Sequence, residues 1–314
     1  MRRIAGKVLR LVLVLVVVTF ATFMLVRLVP GDPVVKIIPY GTDLEAQRAE
    51  LRTEMGLDEP VLQQYGSWLG DLAHGDFGAT YPSRTPVSQT LQGAAPVTLQ
   101  LILYSQALAL LVAVPLGVLT AHRAGTWLDR ALNTSAFGLL SIPSFVLGLY
   151  LAYFVGARLR WLPSGQYVHF GDDPVEHFRS MVLPTIALAA GQIALYMRLL
   201  RADLISTLQE NFIKAARSRG YSTARILWRH ALRPSSLAVL TYAGINLGAL
   251  VGGAVVVEVV FTLPGIGTEI LKAIQGQQYV ALQGYVVLIA VGFVLLNFLV
   301  DVLYSILDPR IRHG

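Results

Sequence analysis

Residues 211–234 read NFIKAARSRGYSTARILWRHALRP, a basic and water-compatible stretch lying between two strongly apolar ones, residues 181–201 and 237–260. Each flanking run is long enough to cross the hydrocarbon core as a helix, which takes roughly 20 residues. The polar stretch must then lie outside the lipid, as a connection built like a docking surface. Working outward from it, four further runs have comparable length and character, at about 9–29, 97–121, 131–157 and 284–307. Lipid satisfies no backbone hydrogen bond, so spanning segments are helices or strands of closed barrels, and unbroken apolar runs without period-two alternation select helices. The expected fold is therefore an all-α polytopic membrane protein with six transmembrane helices. The composition agrees, with 54% hydrophobic and 14% charged residues in 314 and a mean hydropathy of +0.59.

The first run follows a basic start, MRRIAGKVLR, as a signal peptide would. It is too long for an h-region and no small-residue cleavage site follows, so it reads as an uncleaved helix. Charge sets the orientation. With a cytoplasmic N-terminus, sixteen of the 25 Lys and Arg fall in the inner segments 1–10, 122–130, 198–236 and 308–314, and eight fall outside. Arg27 lies near the outer end of the first helix. Of the acidic residues, four lie inside and thirteen outside, while Glu258 and Asp301 sit near helix ends. Both termini are thus expected in the cytoplasm, and topology accounts for the net charge of +6 without nucleic acid. The absence of cysteine excludes disulfides and thiolate chemistry.

Between the first two runs lies a long outer segment, residues 30–95. Thr42 and Glu45 form a candidate capping box for a polar helix ending near Gly56, and Asp58-Glu59-Pro60 opens a second. Val61, Leu62, Tyr65, Trp68, Leu69 and Leu72 recur at helical spacing there and form one apolar face. Asp76-Phe77-Gly78 matches a kinase triplet without any accompanying kinase element, and no phosphate-binding G-x-x-x-x-G-K-[ST] loop occurs. His169 and His177, with Asp172, Asp173 and Glu176, read as solvated loop polarity rather than a metal site. No Ser-His-Asp or paired-carboxylate constellation assembles, so the chain is not expected to be an enzyme. Glu258, Asn297 and Asp301 read as helix caps or interhelical bonds. Pro115, Pro143 and Pro184 predict bends, and Gly244, Gly248 and Gly252 form a row at four-residue intervals for close helix packing, within the chain or against a second subunit, followed by Gly253.

Within residues 211–234, Phe212, Ala216 and Gly220 recur every four residues as a face of decreasing size with Ala215 beside it, and Gly220 ends or turns the helix. A second helix is expected over 223–233, stopped by Pro234. Its Arg225, Arg229 and Arg233 form a basic stripe that anionic headgroups alone would explain, with Ile226, Leu227 and His230 facing elsewhere.

The spacing of Ala215, Ala216 and Gly220, followed by Arg229-His230-Ala231-Leu232-Arg233, resembles the EAA loop of permease subunits in binding-protein-dependent ABC importers. Lys214 stands where the name-giving Glu would be. Further matches run almost end to end: Leu28-Val29-Pro30-Gly31-Asp32-Pro33, Gly75-Asp76-Phe77-Gly78, Trp127-Leu128-Asp129-Arg130, Ser141-Ile142-Pro143-Ser144-Phe145, Leu162-Pro163-Ser164-Gly165, Val257-Glu258-Val259-Val260-Phe261, Pro264-Gly265-Ile266-Gly267 and Leu307-Asp308-Pro309-Arg310-Ile311-Arg312. Together they resemble the first permease of the dipeptide, oligopeptide and nickel transporter group.

The resemblance implies a type I importer permease fold in a bacterial inner membrane. Residues 1–95 would hold the first helix and outer segment, 96–307 the permease core and 308–314 a cytoplasmic tail. It implies a second homologous permease, two ABC ATPases that bind the ATP and magnesium, and an extracytoplasmic substrate-binding protein, which residues 30–95 and 163–181 would meet. Phe212, Ala215, Ala216, Arg217, Gly220, Arg229 and His230 would couple to an ATPase, this chain itself holding no cofactor. Short peptides are the leading cargo, with chelated nickel, glutathione and haem as alternatives. From the residues alone, a secondary transporter or channel-like subunit stays open; it would call for inverted repeats and midplane acids, and neither is evident.

Overall fold

The computed structural model describes residues 2–27, 34, 44–54, 57–80 and 83–307. Thr42, Gly56, the Pro30–Pro33 motif and the 308–314 tail lie outside the described residues, as do the side chains of Arg27 and Asp301. Regular structure among the described residues is helical: α1 (Arg2–Arg27), α2 (Glu45–Glu54), α3 (Val61–Ala73), α4 (Val87–His122), α5 (Trp127–Ser141), α6 (Ser144–Leu151) extended by a π-helical segment (Ala152–Arg158), α7 (Pro174–Thr207), α8 (Asn211–Ser218), α9 (Thr223–Arg225) followed by a π-helical turn (Ile226–Ala231), α10 (Leu232–Val260), α11 (Ile266–Gln275) and α12 (Tyr279–Leu307). Within them, α4, α7 and residues 279–298 of α12 are each long and apolar enough to cross a membrane, and counting each bent pair, at 127–158 and 223–260, as one span gives up to five. The apolar portion of α1, Leu11–Met24, is shorter.

The run expected as one helix over 131–157 is two. Its halves meet at 97° across Ile142 and Pro143, where Pro143 has an extended ψ of 140° and opens α6. Proline disfavours helical geometry in the residue before it, so the chain leaves one helix and starts another. By contrast α4 and α7 run unbroken past Pro115 and Pro184.

The chain forms two compact units. In the first, residues 1–97 and 264–298, the aromatic face expected on α3 finds its partner in α1. Tyr65 meets Phe20 and Phe23 edge-on at 5.2 and 5.3 Å, and its hydroxyl lies 2.9 Å from Thr19 Oγ1. Leu62, at the start of the same helix, stays 75% exposed. The Asp76-Phe77-Gly78 triplet is a turn, in which Gly78 N donates to Asp76 Oδ1 at 2.8 Å. Nearby, Val87, Leu91, Ala94, Ile266, Ala273, Ala281 and Tyr285 make the core of this unit.

The second unit, residues 98–263 and 299–314, is built around α7, which packs on α5, α6 and α10. Asp173 caps α7, its carboxylate accepting from Val175 N and Glu176 N at 2.9 and 3.1 Å. His177, expected as solvated loop polarity, is fully buried one turn in. Its Nδ1 is 2.8 Å from Val168 O and its Nε2 3.2 Å from the Tyr104 hydroxyl, which ties the 159–173 connection to α4 and α7. Deeper in the helices, uncharged polar side chains meet across elements: Asn246 of α10 donates to Gln192 of α7, and Tyr196 of α7 donates to Gln106 of α4 at 3.2 Å. In an apolar medium such bonds hold helices together at neutral charge.

Within this chain the glycine row on α10 is unevenly covered. Gly244 is buried, Gly248 half-buried and Gly252 exposed, because a four-residue step advances about 40° around the helix and carries the row off the contact face. The close approach is made by Gly253, where a Cβ would lie 2.8 Å from Leu188 Cδ1 of α7. A Gly253→Leu substitution should destabilise the protein by about 1–3 kcal/mol through overpacking. Gly252→Ala should be neutral or stabilising, since nothing approaches that position within 4 Å. Thermal unfolding of the detergent-solubilised protein, followed by loss of the monodisperse species, checks the contrast.

Candidate functional site

The polar connection between α7 and α10 folds as a short amphipathic helix with a tight stop. After α7 the chain turns through Gln209 and Glu210, and Glu210 O accepts from Ile213 N and Lys214 N at 3.1 and 3.2 Å. At the other end of α8, Gly220 N donates to Arg217 O at 3.0 Å and Tyr221 N to Ala216 O at 3.3 Å. This is the Schellman arrangement, which needs a left-handed residue just past the cap. Gly220 supplies it with φ of +77°. Ser222 then caps the next helix, accepting from Arg225 N.

Of the residues expected to form one docking face, the structure separates two groups. Ile213 and Ala216 turn inward and join the core of the second unit with Leu204, Ile226, Leu227 and Ala231. Phe212, Ala215, Arg217 and Gly220 are exposed. Phe212, Ala216 and Gly220 therefore do not share an outward face; the three-residue step from Phe212 to Ala215 keeps those two outward together. The division follows from Ile213, whose burial sets the rotation of the whole helix.

Pro234 does not stop the second helix as expected. Residues 226–231 adopt a π-helical turn, with Leu232 N donating to Leu227 O, five residues back. The path continues into α10, with Pro234 in its first α-helical turn, where a missing N–H is tolerated. Arg225, Arg229 and Arg233 are exposed as the basic stripe predicts. His230 is half-buried and stacks on Tyr221 at 5.3 Å with the rings 9° apart, while the Arg225 guanidinium lies 5.5 Å from the other ring centroid of that contact, Tyr221. Trp228, which no spacing argument singled out, is 51% exposed. With Phe212 it adds a second large apolar side chain to the outer surface of this segment.

The segment is tied to the helices at several points. Thr207 Oγ1 at the end of α7 lies 2.8 Å from Ser235 Oγ in α10, closing the base of the 208–234 excursion. In the neighbouring 122–130 turn, Asp129 is 3% exposed and receives Arg201 in a two-pronged pair, Nε to Oδ1 at 2.6 Å and Nη2 to Oδ2 at 2.7 Å. Gly125 N and Asn133 Nδ2 donate to the same carboxylate at 2.9 and 2.7 Å. Sequence reading placed Asp129 in a motif but had no means of finding its partner 72 positions away.

Long apolar helices joined by connections that include a polar, partly exposed helix are the form of a multi-pass membrane protein. The comparisons narrow this class. Residues 113–313 match the family described as "Binding-protein-dependent transport system inner membrane component", and residues 1–102 match its N-terminal counterpart, "Binding-prot-dependent transport system membrane comp, N-term". The chain belongs to this family. Among its relatives, a putative peptide transport system permease protein of Brucella abortus (strain 2308) is 37% identical over 300 residues, covering 96% of this chain and 95% of that protein. The oligopeptide transport system permease protein AppB of Bacillus subtilis (strain 168) is 33% identical over 303 residues, covering 96% of each chain. The glutathione transport system permease protein GsiC of Shigella flexneri serotype 5b (strain 8401) is 33% identical over 308 residues, covering 98% and 97%.

The Arg201 guanidinium, more than desolvation opposes it, holds the Asp129 carboxyl below the ordinary carboxylate range. A depressed folded pKa adds stability that is complete above the unfolded value of about 4 and is lost as pH falls through the lower folded value. Asp129→Asn should therefore be less stable than the wild type at neutral pH, and the gap should close in strong acid. Arg201→Gln, which leaves the buried carboxylate short of its cation, should cost roughly 1–3 kcal/mol at pH 7. Urea unfolding at a series of pH values checks both.

Proposed function

We propose that this chain is one transmembrane pathway subunit of an ATP-driven importer, with α8 as the element that receives the conformational work of a partner ATPase. The observation that carries the reading is the two-sided construction of α8. Its outer side presents Phe212, Ala215 and Gly220, while its inner side is anchored by Ile213 and Ala216 in the core that also holds α7 and α10. A push on the outer side is delivered to two long helices rather than absorbed by a loop. ATP and magnesium belong to the partner subunits in this reading, and the chain catalyses nothing itself.

The family membership and the peptide and oligopeptide transport named for the relatives support a second homologous permease, two ATPases, an external substrate-binding protein and short peptides as cargo. On this reading α1 completes the six spans, and the basic connections 122–130 and 198–236 lie in the cytoplasm of a bacterial inner-membrane protein, as do both termini.

Ala215→Arg places a bulky charge on the exposed side without disturbing the inner one. It should abolish co-purification of an ATPase and reduce peptide uptake at least tenfold or so, a loss equivalent to about 1.4 kcal/mol of coupling, at wild-type membrane abundance. Gly220→Arg should do the same with added backbone strain from the positive φ. Retention of both association and uptake by Ala215→Arg would remove α8 from the coupling role. Because the native chain has no cysteine, single cysteines at Ser218 and Asp172 report sidedness directly. An impermeant maleimide added to intact cells should label the second and spare the first.

A further inference from the structure

Between α5 and α7 lies a cavity of about 510 Å³ that none of the coupling residues line. From α5 it takes Arg130, Asn133 and Phe137, and from α7 Leu195, Arg198 and Leu199, with the Asp129–Arg201 pair at its base. The residues from each helix recur at three- and four-residue steps, so each helix contributes a single stripe to the wall.

The charge on this wall is unbalanced. Arg201 is committed to Asp129, which leaves Arg130 and Arg198 without a carboxylate partner among the described residues. The Arg198 guanidinium lies 3.8 Å from the centroid of the Phe137 ring, a contact that holds it across the groove and leaves its donors available. The apolar side chains Phe137, Leu195 and Leu199 make the cavity amphipathic. Trp127, one turn before Arg130, is 78% exposed at the start of α5, where an aromatic ring marks a membrane–water boundary.

We propose that this groove binds one anionic phospholipid, its phosphate held by Arg130 and Arg198 and the beginning of an acyl chain laid along Phe137, Leu195 and Leu199. Basic pockets between transmembrane helices take headgroups of this kind. A free phosphate would use the arginines and leave the apolar wall wet. A soluble protein would have to reach Leu195 inside the apolar run 181–201. The orientation proposed above would put this lipid in the inner leaflet, whereas the lipid site itself does not rest on that reading.

The test is native mass spectrometry of the full-length chain, extracted in mild detergent with whatever subunits accompany it, delipidated and titrated with phosphatidylglycerol, with phosphatidylcholine of the same chains, or with inorganic phosphate. The expected result is retention of one phosphatidylglycerol, preferred about tenfold or more over phosphatidylcholine. That preference should vanish in Arg130→Gln/Arg198→Gln, survive in Arg198→Lys, and survive in the charge-matched Arg158→Gln/Arg160→Gln. Arg198→Glu alone serves the same purpose if the double variant does not fold. Equal retention of the two lipids, or undiminished preference in a folded double variant, overturns the proposal. Competition by inorganic phosphate would make this a soluble-anion site, and loss of an accompanying subunit with lipid retention unchanged would make it a protein contact; either outcome also overturns it. Lipid retention is read independently of the Ala215→Arg association experiment, so failure of one proposal is distinguishable from failure of the other.

Discussion

Hydrocarbon offers no partner to a peptide N–H or C=O, and a departure from the α-helix at membrane depth has to be resolved by the protein itself. At Pro143 the chain changes direction by 97°, and Pro143 O immediately accepts from Val146 N and Leu147 N at 3.0 and 3.2 Å. Over residues 152–158 and 226–231 the helix widens into π-helical turns, which keep their hydrogen bonds while absorbing a register change. Outside the lipid, Gly220 and Tyr221 likewise take up carbonyls of the last turn of α8. The path of the chain outside its straight helices is set by these local solutions.

A short helix outside the lipid meets a related requirement. Eight residues are too few to be stable as an isolated helix, so α8 depends on the tertiary contacts of Ile213 and Ala216 and on its glycine stop. Those residues share one core with residues of α7 and α10. The Thr207–Ser235 contact and the Tyr221–His230 stack reinforce the base and the far side of the excursion.

Charge is handled differently by depth. Within the apolar helices the cross-helix contacts Gln106–Tyr196 and Gln192–Asn246 use neutral amides and a phenol, and one carboxyl group, Glu258 near the end of α10, is fully buried. At the level of the 122–130 turn, ions appear in a pair with supporting donors, Asp129 with Arg201, Asn133 and Gly125. Beyond it the arginines of residues 211–234 stand exposed. The Asp129 pair and the exposed arginines reflect the cost of an ion in a low-dielectric surrounding, which close pairing or water offsets.

Much of this was legible in the chain itself. Apolar runs of spanning length, the basic bias of alternate connections and the glycine at 220 are local properties, and they determined the helical class, the polar excursion and its turn without any knowledge of packing. The motif order also pointed to the family that the comparisons establish. Other features were decided only by folding. Which side of α8 faces outward depended on Ile213 finding the core, so Ala216 went inward while Ala215 stayed out. Gly253 rather than Gly252 met α7, because helical rotation, not spacing alone, selects the contact face. His177 was buried by a loop that the sequence shows only as polar, and Asp129 found Arg201 across 72 positions. Each of these depends on the relative rotation and distance of helices remote in sequence, which one-dimensional periodicity does not encode.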